Sequence, residues 1–286
     1  MKPDTLASHT FDIPSGPMHC LERPGSGTPL VLLHSLSGNA LLFSGLLKAD
    51  AAPGRRILIP DMRGRGRTPV GQTDMSLDAA CADIGALLDH FDLATAVVVG
   101  HSYGGLTALR FGATYPERVE KLVLLDAAAQ MHPAAPGLAL ITAGRLDQIF
   151  PSRALYLTMI QATPFVDVYH EEMSKFFNED IMDVALGACT TRARFATVAA
   201  AIYQISSRSP AAWLEDCHAV KAPTLVVRAD RPYFMSLPMM TGSDVENTVR
   251  AIPNARGTTA RGNHLSMLYG RGAEDITDAL EGFLVP

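Results

Sequence analysis

Gly100-His101-Ser102-Tyr103-Gly104-Gly105 sits between the apolar run Ala94-Thr95-Ala96-Val97-Val98-Val99 and the segment LTALRFGATYP, whose spacing reads as a helix. The order is strand, sharp turn, helix, with Ser102 at the corner. Such a turn holds its central residue in a strained backbone conformation and lifts the serine hydroxyl above the sheet edge. Glycines on either side let strand and helix approach without a Cβ clash. The helix, expected over 104–115, begins at the serine, so its N-terminal N–H groups face any negative charge forming there. G-x-S-x-G alone recurs by chance. With a β-branched strand before it and a helix after it, the pattern points to a functional serine. The plainer reading is a glycine-rich βα turn of a dinucleotide-binding domain.

Outward from this turn, strands and helices alternate. TFDIPSGPMHCLER (10–23) reads as two short antiparallel strands around a Pro/Ser/Gly turn. TPLVLLH (28–34) and RRILIPDM (55–62) are continuous apolar runs of the kind buried on both faces of a sheet. Helix 76–91 has Ser76 as N-cap and apolar residues at helical spacing. KLVLLD (121–126) is the strand after the serine helix. This rhythm implies a parallel sheet with right-handed crossovers. It breaks from about 130 to 215, where FVDVYHEEMSKFFNEDIMDVA and TRARFATVAAAIYQI read as helical and no buried strand is evident. It resumes with APTLVVRAD (222–230), a helix near 243–252 whose Ser243 and Glu246 have capping-box spacing, a short strand near 254–260 and a helix over about 273–284. The expected organisation is a core of residues 1–129 and 216–286 with a helical cap, 130–215, laid over the C-terminal ends of the strands. Ligands bind at those ends in open α/β sheets.

The 286 residues, 48% hydrophobic and 19% charged, suit one globular α/β domain with an insertion. A net charge of −5 with no basic stripe argues against nucleic acid as partner. No run approaches the roughly 20 apolar residues of a membrane span. MKPDTLASHTFDIPSG contains no apolar export core or cleavage signal, so a cytoplasmic location is expected. Cys20, Cys81, Cys189 and Cys217 form no C-x-x-C pair and no metal-ligand spacing with histidine, and read as reduced, mostly buried thiols. No metal or cofactor is expected.

GHSYGG, the HSLSG loop (34–38), PDMRGRGRT (60–68) and RGNHLSM (261–267) together resemble the α/β-hydrolase family over nearly the whole chain outside 130–215. The resemblance implies an α/β-hydrolase fold: a mostly parallel central sheet, helices on both faces and an inserted cap. It implies the chain order serine, acid, histidine. Ser102 is then the nucleophile, and His264, in the loop after the last strand, its base, since a free serine hydroxyl needs a base within reach. The family pattern makes the Leu36 and Tyr103 backbone N–H groups the oxyanion donors, although Ser35 replaces the glycine usual after His34. The acid stays open. The pattern that places it after strand 224–229 meets Pro232 there, with Asp230 two residues early. The family's other location is Asp126, 24 residues after Ser102. Asp126 is favoured, Asp230 is the alternative, and Asp244 and Glu246 are remoter candidates. His101, a strand-end neighbour of the serine, is read as structural and pointing away from the site.

The rival readings fit less well. A dinucleotide fingerprint at Gly64-Arg65-Gly66 lacks its third glycine, where Pro69 stands, and no P-loop occurs. A non-catalytic receptor on this fold is expected to lose a triad member. Serine in place of aspartate excludes dehalogenase and epoxide hydrolase chemistry. The expected function is therefore a serine hydrolase of a small, largely hydrophobic ester-type substrate. Diketone carbon–carbon hydrolysis, lactonase or thioesterase activity on the same residues are alternatives. The cap aromatics Phe150, Tyr156, Phe165, Tyr169, Phe176, Phe177, Phe195, Tyr203 and Trp213 suit an apolar substrate, though aromatic residues at helical spacing are more often core.

Overall fold

Strand Ala96–His101 is buried along its whole length, and its side chains alternate between two cores. Val98 packs on one face of the sheet, and Val97 and Val99 pack on the other. This accounts for the unbroken apolar run, because a strand covered on both faces has no solvent side to mark with polar residues. The structure, a computed structural model, describes residues 6–71 and 74–285. The stretch read for an export signal lies partly outside them.

In chain order the first strands are β1 (Ala7–Ile13), β2 (Gly16–Arg23), β3 (Ser26–Leu33) and β4 (Arg55–Pro60), with the short helix α1 (Ser44–Lys48) before β4. Then come α2 (Leu77–His90), β5 (Ala96–His101), α3 (Tyr103–Thr114) and β6 (Val119–Leu125). The segment after β6 holds α4 (Ala135–Ala143), β7 (Ile149–Phe150), α5 (Arg153–Gln161), α6 (Met173–Glu179), β8 (Ile181–Asp183), β9 (Cys189–Thr191), α7 (Phe195–Ser207) and α8 (Pro210–Ala219). The chain closes with β10 (Thr224–Ala229), α9 (Gly242–Ala251), β11 (Ala255–Ala260) and α10 (Gly270–Leu284). The main sheet runs β1-β2-β4-β3-β5-β6-β10-β11. Its pairs are parallel from β4 to β11, and the β1–β2 hairpin is antiparallel and joins β4 antiparallel. Residues of α2, α3 and α8 cover one face, and those of α1 and α10 the other.

Two expectations need correction. The stretch 165–185, read as helical, is helical only at α6 and continues into β8. With β7 and β9, β8 forms a separate three-stranded antiparallel sheet. These strands are two or three residues long, too short to show a period in sequence. Helix α9 is capped by Thr241 with Asp244 as its reciprocal partner, two residues before the Ser243–Glu246 pair. The limit of the insertion expected at 215 falls inside α8, and Trp213 and Cys217 of this helix belong to the core that α3 helps to form. All four cysteines are buried and unpaired. No helix among the described residues is long and apolar enough to cross a membrane.

Candidate active site

Ser102 adopts φ 55°, ψ −119°, a region that costs a non-glycine residue about 1–3 kcal/mol. Two backbone bonds hold it there. Its N–H donates to the Leu125 carbonyl at 3.0 Å, and its carbonyl accepts from Leu106 N. A Cβ at Gly104 would lie 2.1 Å from the Leu33 carbonyl oxygen, so the turn closes against β3 only because residue 104 is glycine. Tyr103 opens α3, and its N–H is among the four that a helix leaves without an internal partner.

The strand that receives the Ser102 N–H, β6, is followed directly by Asp126. Asp126 also has positive φ (46°), and its N–H donates to Val227 at 2.7 Å. One carboxylate oxygen lies 2.6 Å from His264 Nδ1, and the other accepts the Ala229 N–H at 2.9 Å. Burial alone would raise the Asp126 pKa. The His264 hydrogen bond and charge, with the Ala229 N–H, more than offset it and hold the carboxyl below the ordinary range. With Nδ1–H donating to the carboxylate, His264 keeps a lone pair on Nε2. Ser102 and His264 line the same cavity. Asp230 does not reach the imidazole. Its Oδ1 accepts the Gly262 N–H at 2.8 Å and so braces the loop that carries His264. Asp244 caps α9, and Glu246 is exposed on the same helix.

His101 differs from expectation. Its ring does not turn away from the site but stacks obliquely 4.6 Å from that of His264, and its Nε2–H donates to the His264 carbonyl at 2.7 Å. Burial, then the neighbouring His264, pulls its pKa down to about 3, so it is a neutral anchor. His34 is neutral for the same first reason, at about 4, and its Nε2 accepts the Met62 N–H. The PDMRGRGRT stretch is largely a staple. Asp61 accepts from Ala40 N, Arg67 N and His19 Nδ1, and a Cβ on Gly66 would lie 2.2 Å from its carboxyl carbon. Arg63 grips Asp83 of α2 through two bonds of 2.7 Å.

The cavity above Ser102 measures about 460 Å³ and is bordered by Leu36, Tyr103 and His264 from the core, with Ile205 and Trp213 from α7 and α8. Among the described residues no protein acceptor meets the Leu36 N–H. A second chamber of about 200 Å³ adjoins it, and Ser37, Thr142, Tyr233 and Leu265 border both. Phe150, Tyr156, Phe165, Phe176 and Phe177 wall this chamber, so these cap aromatics face open space, whereas Phe195 and Tyr203 are exposed on the surface. Sequence reading missed Tyr233, whose ring lies edge-on 5.0 Å from His264, and Arg145, which enters the second chamber. Neither lies in a motif or in a periodic stretch. Arg145 Nη2 pairs with Asp180 at 2.9 Å, and the Tyr156 hydroxyl donates to the same carboxylate oxygen at 2.5 Å.

Comparison with known proteins bears on this arrangement. A family profile described as the α/β hydrolase fold matches residues 28–154. The structure of E-2-(acetamidomethylene)succinate hydrolase superposes with a TM-score of 0.85 at 19% identity, covering 98% of this chain and 99% of that one. The chain has the α/β-hydrolase fold. Within it, an esterase from Mycobacterium tuberculosis superposes with a TM-score of 0.74 at 21% identity, covering 98% of this chain and 91% of that one. The sn-1-specific diacylglycerol lipase ABHD11 of Mus musculus is 40% identical over 98 residues, which is 34% of this chain and 32% of that protein. The chain spans about a third of the length of the curated relatives it matches.

Proposed function

We propose that this protein is a serine hydrolase that cleaves a carboxylic ester or a related acyl bond through an acyl-enzyme. The observation that carries the reading is the 2.6 Å Asp126–His264 contact beside a serine held at φ 55° at the floor of a cavity. In the first half-reaction Ser102 Oγ attacks the carbonyl carbon while its proton passes to His264 Nε2. The carbonyl oxygen becomes an anion facing the Leu36 and Tyr103 N–H groups. When the tetrahedral adduct collapses, His264 returns the proton to the leaving group. Water then repeats the sequence to release the acid. Asp126 fixes the imidazole tautomer and stabilises the imidazolium.

The substrate on this reading is small and two-armed. The larger chamber, at about 460 Å³, is within the range of small-molecule sites. The smaller, at about 200 Å³, suits an aryl-sized group, since an apolar cavity of about 150 Å³ takes up benzene. Arg145 Nη1 donates well to the Thr142 carbonyl at 2.9 Å but reaches Ser37 Oγ only at 3.4 Å. That donor capacity in the second chamber favours a second oxygen on the smaller arm, so the alternative of diketone carbon–carbon cleavage on the same residues is worth testing alongside esters. We propose further that residues 130–215 act as a lid over the site.

A fluorophosphonate probe followed by peptide mass spectrometry tests the assignment. Label is expected on Ser102, and Ser102→Ala is expected to lose labelling and nearly all esterase activity while melting like the parent. Label on a different serine refutes it.

A further inference from the structure

Among the described residues Arg65 is the largest fully buried side chain, 1% exposed. Gly64 and Gly66, both with positive φ (70° and 53°), fold the loop so that the side chain between them runs inward. Its Nε donates to the Leu36 carbonyl at 2.9 Å, and its Nη1 donates to the Arg63 carbonyl at 2.7 Å. Its guanidinium carbon lies 5.2 Å from the centre of the Tyr103 ring. It therefore touches both residues whose N–H groups face the acyl oxygen in the mechanism above. Among the described residues its Nη2 has no hydrogen-bond partner, and no carboxylate pairs with it.

Burying an unpaired cation is costly, and a guanidinium does not escape the cost by losing its proton. A clamp on two loops does not need that charge, since a neutral amide can also bond a carbonyl. The charge has a use where negative charge develops during reaction, because preorganised donors and fixed charge in a site shielded from water act on it strongly. Arg63, two residues earlier, makes the contrast: it is also buried, but Asp83 neutralises it through two bonds.

We propose that Arg65 is a positioning residue for the oxyanion hole: it fixes Leu36 through its carbonyl, seats the Tyr103 ring, and places an uncompensated positive charge beside both donors. The proposal rests on the serine-hydrolase reading. It predicts an effect on the transition state and little effect on the ground state.

The test compares the parent with Arg65→Met and Arg65→Lys, using 4-nitrophenyl butyrate as substrate and phenylboronic acid as a probe that becomes an anionic tetrahedral adduct on the serine. In Arg65→Met, kcat is expected to fall roughly tenfold or more, less than for deletion of an oxyanion donor. KM should stay within about twofold, and affinity for the boronic acid should fall by about the same factor as kcat/KM. Arg65→Lys, which keeps the charge without the fork, should recover part of the loss, and it decides the matter if the methionine variant does not fold. A folded variant that binds the boronic acid as tightly as the parent overturns the role of Arg65 alone. A parent that forms no adduct at Ser102 overturns the nucleophile assignment, and this proposal with it.

Discussion

Each of the three residues proposed for the reaction owes its position to backbone bonds as much as to its side chain. Ser102 and Asp126 both sit at positive φ, and both donate their N–H to the neighbouring strand, Ser102 to Leu125 and Asp126 to Val227. His264 is held from behind by His101. The choice between the two candidate acids can be settled in solution. Asp126→Asn is expected to lower kcat by about 10⁴, the effect of an imidazole trapped in the wrong tautomer. Asp230→Asn, which keeps an oxygen able to accept the Gly262 N–H, should cost less than tenfold. The reverse ranking rejects Asp126. Much of this was legible in sequence: the glycines and β-branched strand around Ser102, and the proline at the position where a later acid would stand. Arg65 was visible only as one residue among the basic residues of PDMRGRGRT. Its burial without a carboxylate partner is a property of the fold, because nothing in a string of letters says which of the three arginines will end there.

At the scale of elements, the central strands β3, β4, β5, β6 and β10 were readable because a strand buried on both faces leaves a long apolar run, whereas β1 and β11 at the sheet edges are partly exposed. The segment between β6 and β10 was readable only as an interruption. β7, β8 and β9 are held by pairing with one another, which is non-local and leaves no local period. The second chamber is a product of this segment, and it has a testable consequence for specificity. Phe177→Trp enlarges a side chain of the chamber wall. The kcat/KM ratio for an ester with an aryl-bearing acyl arm over the corresponding acetate is expected to fall about tenfold. An unchanged ratio in a folded variant, with both rates measurable, removes the chamber from the account of substrate choice.

For the whole molecule, buried histidines set how stability responds to acid. His34 and His101 are held neutral, with folded-state pKa values of about 4 and about 3 against an ordinary 6.5. In the unfolded chain both take up a proton as the pH falls through 6.5, and in the folded protein neither does until about pH 4 or below. The unfolded state thus binds more protons across that window, and stability is full above about pH 6.5 and declines as the pH drops toward 4. Asp61 and Asp126, held below the ordinary carboxylate range, add their loss only at lower pH still. Thermal melts from pH 7 to pH 4 should show a falling Tm, with a shallower slope for His101→Gln. A flat Tm over that range contradicts the neutral assignment.

The Ala229 N–H that binds Asp126 also marks where the chain leaves β10 for the loop containing Pro232 and Tyr233. If Asp126, just after β6, is the acid as proposed, this loop is released from proton chemistry and supplies wall instead, through Tyr233 against the His264 ring and over both chambers. Selection can then revise residues 234–238 for a new substrate while Tyr233 keeps its place against the His264 ring. For protein engineers this makes the loop a favourable place to diversify, and it offers one route by which a lineage could change its diet while keeping its chemistry.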